Sequence, residues 1–106
     1  MSEEKLLQLL QKKRGFFEAI LDLSEDEEHL PVPDWISVLE QKKVLLSCID
    51  EIDCEISPFK AKLNNLSQEV TDELAKTRSV VEKILDIDTR NQELRRQMLR
   101  NTDPPK

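Results

Sequence analysis

Between residues 35 and 98 the chain repeats with a period of seven, and this pattern limits what it can fold into more than any other feature. One series reads Trp35, Lys42, Ile49, Ile56, Leu63, Val70, Thr77, Ile84, Asn91, Met98. A companion series three residues later reads Val38, Leu45, Ile52, Phe59, Leu66, Glu73, Val80, Ile87, Leu94. These are heptad a and d positions, interrupted by the polar residues Lys42, Glu73, Thr77 and Asn91. There is one glycine in 106 residues, with 36% charged and 38% apolar side chains. That balance suits long helices with one apolar stripe each, and a sheet would need more turn residues. The expected class is all-α.

Three segments follow. Leu6, Leu9, Leu10, Phe16, Phe17, Ile20 and Leu23 recur at helical steps, so a first helix is expected over 3–23. Ser2 can cap it, and Gly15 is a mild weakness in its middle. "SEDEEHLPVP", residues 24–33, carries four consecutive acids and two prolines and reads as a loop that reverses the chain. Asp34 is a candidate N-cap for a second helix, expected over 34–63. The single tryptophan, Trp35, lies in its first turn, where the ring can close the bundle end and hold the loop against it.

Two architectures then compete. Residues 34–100 as one helix would make a coiled coil of about 100 Å. Against this, Ser57-Pro58 puts proline inside the pattern, and "LNNLSQE", residues 63–69, supplies helix-ending side chains. Asn65 with Gln68 resembles a capping box. The favoured reading bends at Pro58, reverses near 64–67 and runs a third helix over 68–100, leaving 101–106 as a tail. The result is a single-domain, antiparallel up-down-up three-helix bundle. A compact chain of this size has a radius of gyration of about 13 Å.

Chemistry has little to stand on. The one histidine, His29, sits in an acidic loop and has no second histidine to complete a metal or triad arrangement. No phosphate-cradling glycine loop is present. No cofactor is expected, and the chain reads as a non-enzyme. Its net charge of −6 disfavours nonspecific nucleic-acid binding. The basic clusters Lys12-Lys13-Arg14 and Arg95-Arg96 read as solvated faces. No run approaches a membrane span, and the N-terminus lacks the order of a signal peptide, so a cytoplasmic protein is expected. Cys48 and Cys54 read as reduced thiols about 120° apart on one helix.

Binding remains. Outside the a and d stripe lie Ile36, Leu39, Val44 and Leu46 on the second helix, and Leu74, Val81, Leu85 and Leu99 on the third. A three-helix core would take in Leu39, Leu46, Leu74 and Val81. The others are harder to bury. Either they pack on the first helix, or they line a groove for the apolar face of a partner helix. The candidate groove residues are Val81, Leu85, Leu94, Met98 and Leu99, with Arg95 as a polar rim.

"DWISVLEQKKVLLSCID", through Asp34, Trp35, Leu39, Lys42, Lys43, Leu45, Leu46, Ile49 and Asp50, resembles the second-helix signature of flagellar and type III export chaperones of the FliT/FlgN type. "ILDIDTRNQELRRQML" is similar to that family's closing helix through Ile84, Ile87, Asp88, Arg90, Asn91, Leu94 and Leu99. The resemblance implies a cytoplasmic chaperone. Such a protein holds the amphipathic terminal helix of a secreted subunit, prevents its early assembly and hands it to an export ATPase or gate. Some members carry a fourth helix that covers the groove. The chain given stops at NTDPPK, which leaves constitutive binding or a covering homodimer as the alternatives. The rival readings are a coiled-coil stalk of a secretion ATPase and an anti-regulator using the same groove.

Overall fold

The computed structural model describes residues 2–59 and 66–102. Three helices occupy nearly all of them: α1 (Ser2–Glu27), α2 (Val32–Ile56) and α3 (Gln68–Thr102). Lys13 on α1 pairs with Asp53 on α2 at 2.6 Å, while Trp35 at the start of α2 meets Glu27 at the end of α1. These two helices are therefore antiparallel. Glu3 meets Ser67, Arg14 meets Glu73 and Ser24 meets Asn91, so α3 runs parallel to α1. The up-down-up bundle is the expected one. A single rod over 34–100 is ruled out, because α2 ends at Ile56 and both later helices lie along α1.

The segment read as an acidic loop is helical as far as Glu27. Ile20, Ser24 and Glu27 fall at i, i+4 and i+7 and all point inward, with Ser24 and Glu27 almost fully buried. The stripe continues past Leu23 in polar letters. Glu25, Asp26 and Glu28 face solvent, where their repulsion is screened. The turn to α2 then needs only residues 28–31, closed by His29 N–H donating to the Asp26 carbonyl at 3.0 Å.

Pro33 sits in the first turn of α2, where its missing N–H costs nothing. Pro31 holds the cap position, so Asp34 lies inside the helix and its side chain makes no capping bond. At the other end the chain tightens into a 3₁₀ turn at 57–59, immediately after Ile56. The expected continuation to residue 63, and the Asn65 half of the capping box, lie outside the described residues. Ser67 caps α3, its Oγ accepting from Val70 N–H at 3.3 Å. The third helix runs on through Asn101 and Thr102, two residues read as tail.

Two apolar clusters fill the bundle. Leu6, Leu9, Leu10, Ile52, Ile56 and Val70 form one, and Ile20, Ile49 and Ile84 form the other, with Phe16 packed against both. Every one of these groups joins α1 to a neighbour. α1 is the central helix, and α2 and α3 pack on it far more closely than on each other. The molecule measures 65 × 21 × 20 Å, with a radius of gyration of 17.7 Å. It is longer than the expected compact value because helices of 25–35 residues set its length.

Three of the four polar interruptions of the heptads are ties rather than gaps, and the fourth, Thr77, bonds back to the Glu73 carbonyl of its own helix. Lys42, Glu73 and Asn91 are all buried, and each has a partner on another helix. Lys13, Arg14 and Arg95, read above as part of solvated basic clusters, supply inter-helix ion pairs to Asp53, Glu73 and Glu27.

Candidate functional site

α1 ends at Glu27, while α3 continues seven residues beyond Arg95, its partner there. That overhang is about 10 Å at 1.5 Å per residue. The bundle therefore closes asymmetrically, and a polar node does the closing. Glu27 is 1% exposed. Its carboxylate accepts from Lys42 Nζ at 3.0 Å and pairs with the Arg95 guanidinium. Lys42 also reaches Asp88 at 3.2 Å. The two cations and two carboxylates balance, so charge is buried without an uncompensated member. One glutamate thus joins all three helices.

Trp35 completes the node. Its indole N–H donates to the Glu27 carbonyl at 3.1 Å, and the Arg95 guanidinium lies 5.0 Å above its ring. The tryptophan holds the turn against the bundle, as its position suggested.

Two hollows flank this node, and Arg95 lines both. The first, of about 430 Å³, lies between the 28–31 turn and the last turns of α3. Trp35, Leu30, Pro31, Leu94 and Met98 give it apolar walls. Leu94 and Met98 belong to the heptad stripe, and they are exposed because α3 outruns the helix that would cover them. The second hollow, of about 230 Å³, lies where α2 and α3 diverge. Leu39 and Leu46 stand on its α2 side, with Asp88 and Gln92 on its α3 side. Leu85 precedes Asp88 by three and Gln92 by seven, which places it on the same face of α3.

The candidate groove residues therefore divide. Leu85 belongs to the α2–α3 face, 59% exposed. Leu94 and Met98 belong to the end hollow. Val81 is half-buried and lines neither hollow. Arg95 is no free rim: its guanidinium is committed to Glu27 and Trp35. Leu99 lies in α3, and its side chain falls outside the described part.

Leu39, Leu46 and Leu74, expected in the core, are exposed at 38–47%. The cause is the central position of α1, which draws each flanking helix to itself and leaves their facing sides apart. The residues missed in the sequence reading are Leu30, Pro31, Leu39 and Leu46 as liners. Their only signal was proximity to Trp35 and the e-type spacing.

Among the described residues, no three His, Cys, Asp or Glu side chains gather as a metal site. Nor is any helix among them long and apolar enough to cross a membrane. Compared with known protein families, curated proteins and solved structures, the chain finds no match.

Proposed function

We propose that this protein is a non-enzymatic, cytoplasmic chaperone that receives the amphipathic helix of a secreted subunit between α2 and α3. The supporting observation is the exposed apolar edge of Leu39 and Leu46 on α2, beside a shallow cleft whose α3 side is Asp88, Gln92 and Arg95, with exposed Leu85 one turn before Asp88 on α3. A client helix laid there buries its own apolar stripe and is withheld from self-association. The likeness of 34–50 and 84–99 to flagellar export chaperones supports the secreted client, and an export ATPase or gate is the proposed onward partner. The rod required by the stalk reading conflicts with the folded-back chain, so the chaperone is preferred.

The test compares wild type with a variant carrying Leu46→Glu and Leu85→Glu. Both positions are exposed, so stability should stay within about 1 kcal/mol. Affinity for the client should fall more than about thirtyfold, the loss of a 2 kcal/mol hot spot. Partners captured from the source cytosol by the wild type should include a filament or cap subunit that the variant fails to retain. Unchanged capture by the variant overturns the cleft, and an ATPase captured alone supports the stalk.

A further inference from the structure

Two rows of side chains edge the cleft between α2 and α3. On α2 the row is Leu39, Lys43, Leu46, Asp50 and Cys54, all exposed. On α3 it is Leu74, Arg78, Val81, Leu85, Asp88 and Gln92, exposed or half-buried. Steps of three and four keep each row on one helix face. Each row is nearly its own mirror, with the charge reversed in sign. About residue 83, Val81 mirrors Leu85, Arg78 mirrors Asp88 and Leu74 mirrors Gln92. About the point between Leu46 and Ser47, Lys43 mirrors Asp50 and Leu39 mirrors Cys54.

The two mirror points lie at one level of the bundle. Lys42 pairs with Asp88 at 3.2 Å, and Lys43, Leu46 and Asp88 line the same hollow. The two helices are antiparallel, so three residues on from Lys43 and three back from Asp88 bring Leu46 level with Leu85. Both mirror points then fall just past that level, within about 2 Å of each other at 1.5 Å per residue. Such a face is self-complementary under a two-fold axis that crosses the cleft at right angles to the helices. Two copies laid together about that axis set Lys43 on Asp50 of the second copy, and Arg78 on Asp88 of the second copy, each twice. Leu46, Val81 and Leu85 meet their counterparts in the middle.

Lys43, Asp50 and Arg78 have no ion-pair partner among the described residues. Their charges are free to pair with another molecule. The Asp88 side chain gives Oδ1 to Lys42 and is still 36% exposed. A two-fold axis along the helices would instead set Asp50 on Val81 of the second copy, a charge against an apolar side chain.

We propose that, while no client is held, a second copy of this chain covers the α2–α3 cleft in an antiparallel two-fold dimer. The inference rests on the reading of that cleft as a docking site and names what guards it when empty. From Leu74 to Gln92 the face runs about 27 Å, and the bundle is 20–21 Å across. Two such faces cover roughly 1,000 Å², the low end for specific interfaces, where complexes are transient. A client helix can therefore displace the second copy.

Sedimentation of the full chain should show a reversible monomer–dimer equilibrium in the micromolar range, with the single bundle alone on dilution. Lys43→Glu turns attraction to Asp50 of the second copy into repulsion, and Asp50→Lys does the same from the other side. The two-fold axis repeats each change, so either variant should weaken the dimer at least about tenfold. Both positions are exposed, and circular dichroism should show both variants as helical as the wild type. An equimolar mixture of the two variants should dimerise again, within about threefold of wild type, because each copy then meets the opposite charge on the other. The double variant should dimerise alone for the same reason. The client captured by the wild type should be held by one copy of the chain.

A wild type monomeric up to about 1 mM, a mixture that stays monomeric, or single variants that dimerise as well as wild type would overturn the dimer. A captured complex that still carries it would overturn the covering role. Failure here is separable from failure of the client reading. If the wild type stays monomeric while capture depends on Leu46 and Leu85, only the dimer falls. If the mixture restores the dimer while those leucines are dispensable for capture, only the client reading falls.

Discussion

A single buried carboxylate, that of Glu27, is tied to both neighbouring helices. Glu27 accepts from Lys42 and pairs with Arg95, and its backbone carbonyl accepts from Trp35 and from Leu30 N–H at 3.3 Å. Glu27→Ala leaves the Arg95 guanidinium without its carboxylate and Lys42 with Asp88 alone, and removing one partner of a buried pair typically costs about 3–5 kcal/mol. Urea unfolding should show that loss, and replacing Glu27, Lys42 and Arg95 together by apolar residues should recover much of it. Gly15 predicts the opposite sign. A Cβ added there meets nothing within 4 Å, and the position is in mid-helix. Gly15→Ala should therefore add up to about 1 kcal/mol, read as a rise of about 4–8 °C in melting temperature. At this scale the sequence was only half legible. The cost of Gly15 could be read directly, because it is a local backbone property. The role of Glu27 could not, because "SEDEE" shows no difference between the one acid that finds two cations and those that face water. That choice is made by Lys42 and Arg95, 15 and 68 residues away.

Among the elements, the start of α3 depends most on tertiary help. Ser67 caps it, and Glu3 from α1 reaches across to accept from Ser67 N–H at 2.8 Å. Ser67→Ala should cost about 1 kcal/mol, as N-cap removals do. The bonds from Ser67, its hydroxyl first and then its backbone N–H, hold the Glu3 carboxyl below its usual value of 4.5. A carboxyl lowered in the folded state stabilises the fold above its unfolded value, and that contribution disappears as pH falls through the lowered folded value. Wild type should thus exceed Glu3→Gln in stability at neutral pH. The two should converge as pH falls below the usual value and through the lowered folded one, as measured by thermal melts across an acid series. Element order and most helix spans were readable, since heptads and prolines are local signals. Which serine or asparagine becomes the cap was not. Ser67 is chosen because α1 delivers Glu3 to it, and that follows only from packing.

At the scale of the molecule, the decisive fact is that one helix is shared by two neighbours that scarcely share each other. The heptads of α2 and α3 could have paired directly, as in a coiled coil. Instead Ile49 and Ile84 both pack against Ile20 of α1. The facing leucines stay outside for the same reason. Solution scattering should give a radius of gyration near 18 Å, in line with 17.7 Å for the folded-back chain, and below the value of about 29 Å that a thin rod about 100 Å long would have. The shared helix also predicts how the molecule fails. Ile20→Ala removes a buried group from both interfaces and should cost about 2–5 kcal/mol. The transition should remain single, because neither flanking helix has another partner to fold on. Trp35 reports one end of the bundle, and helical circular dichroism reports all of it, so the two probes should give one midpoint in the variant as in the wild type. If the fluorescence transition precedes the loss of helix, α2 and α3 hold together without α1, and the cleft between them is a closed interface rather than an open one.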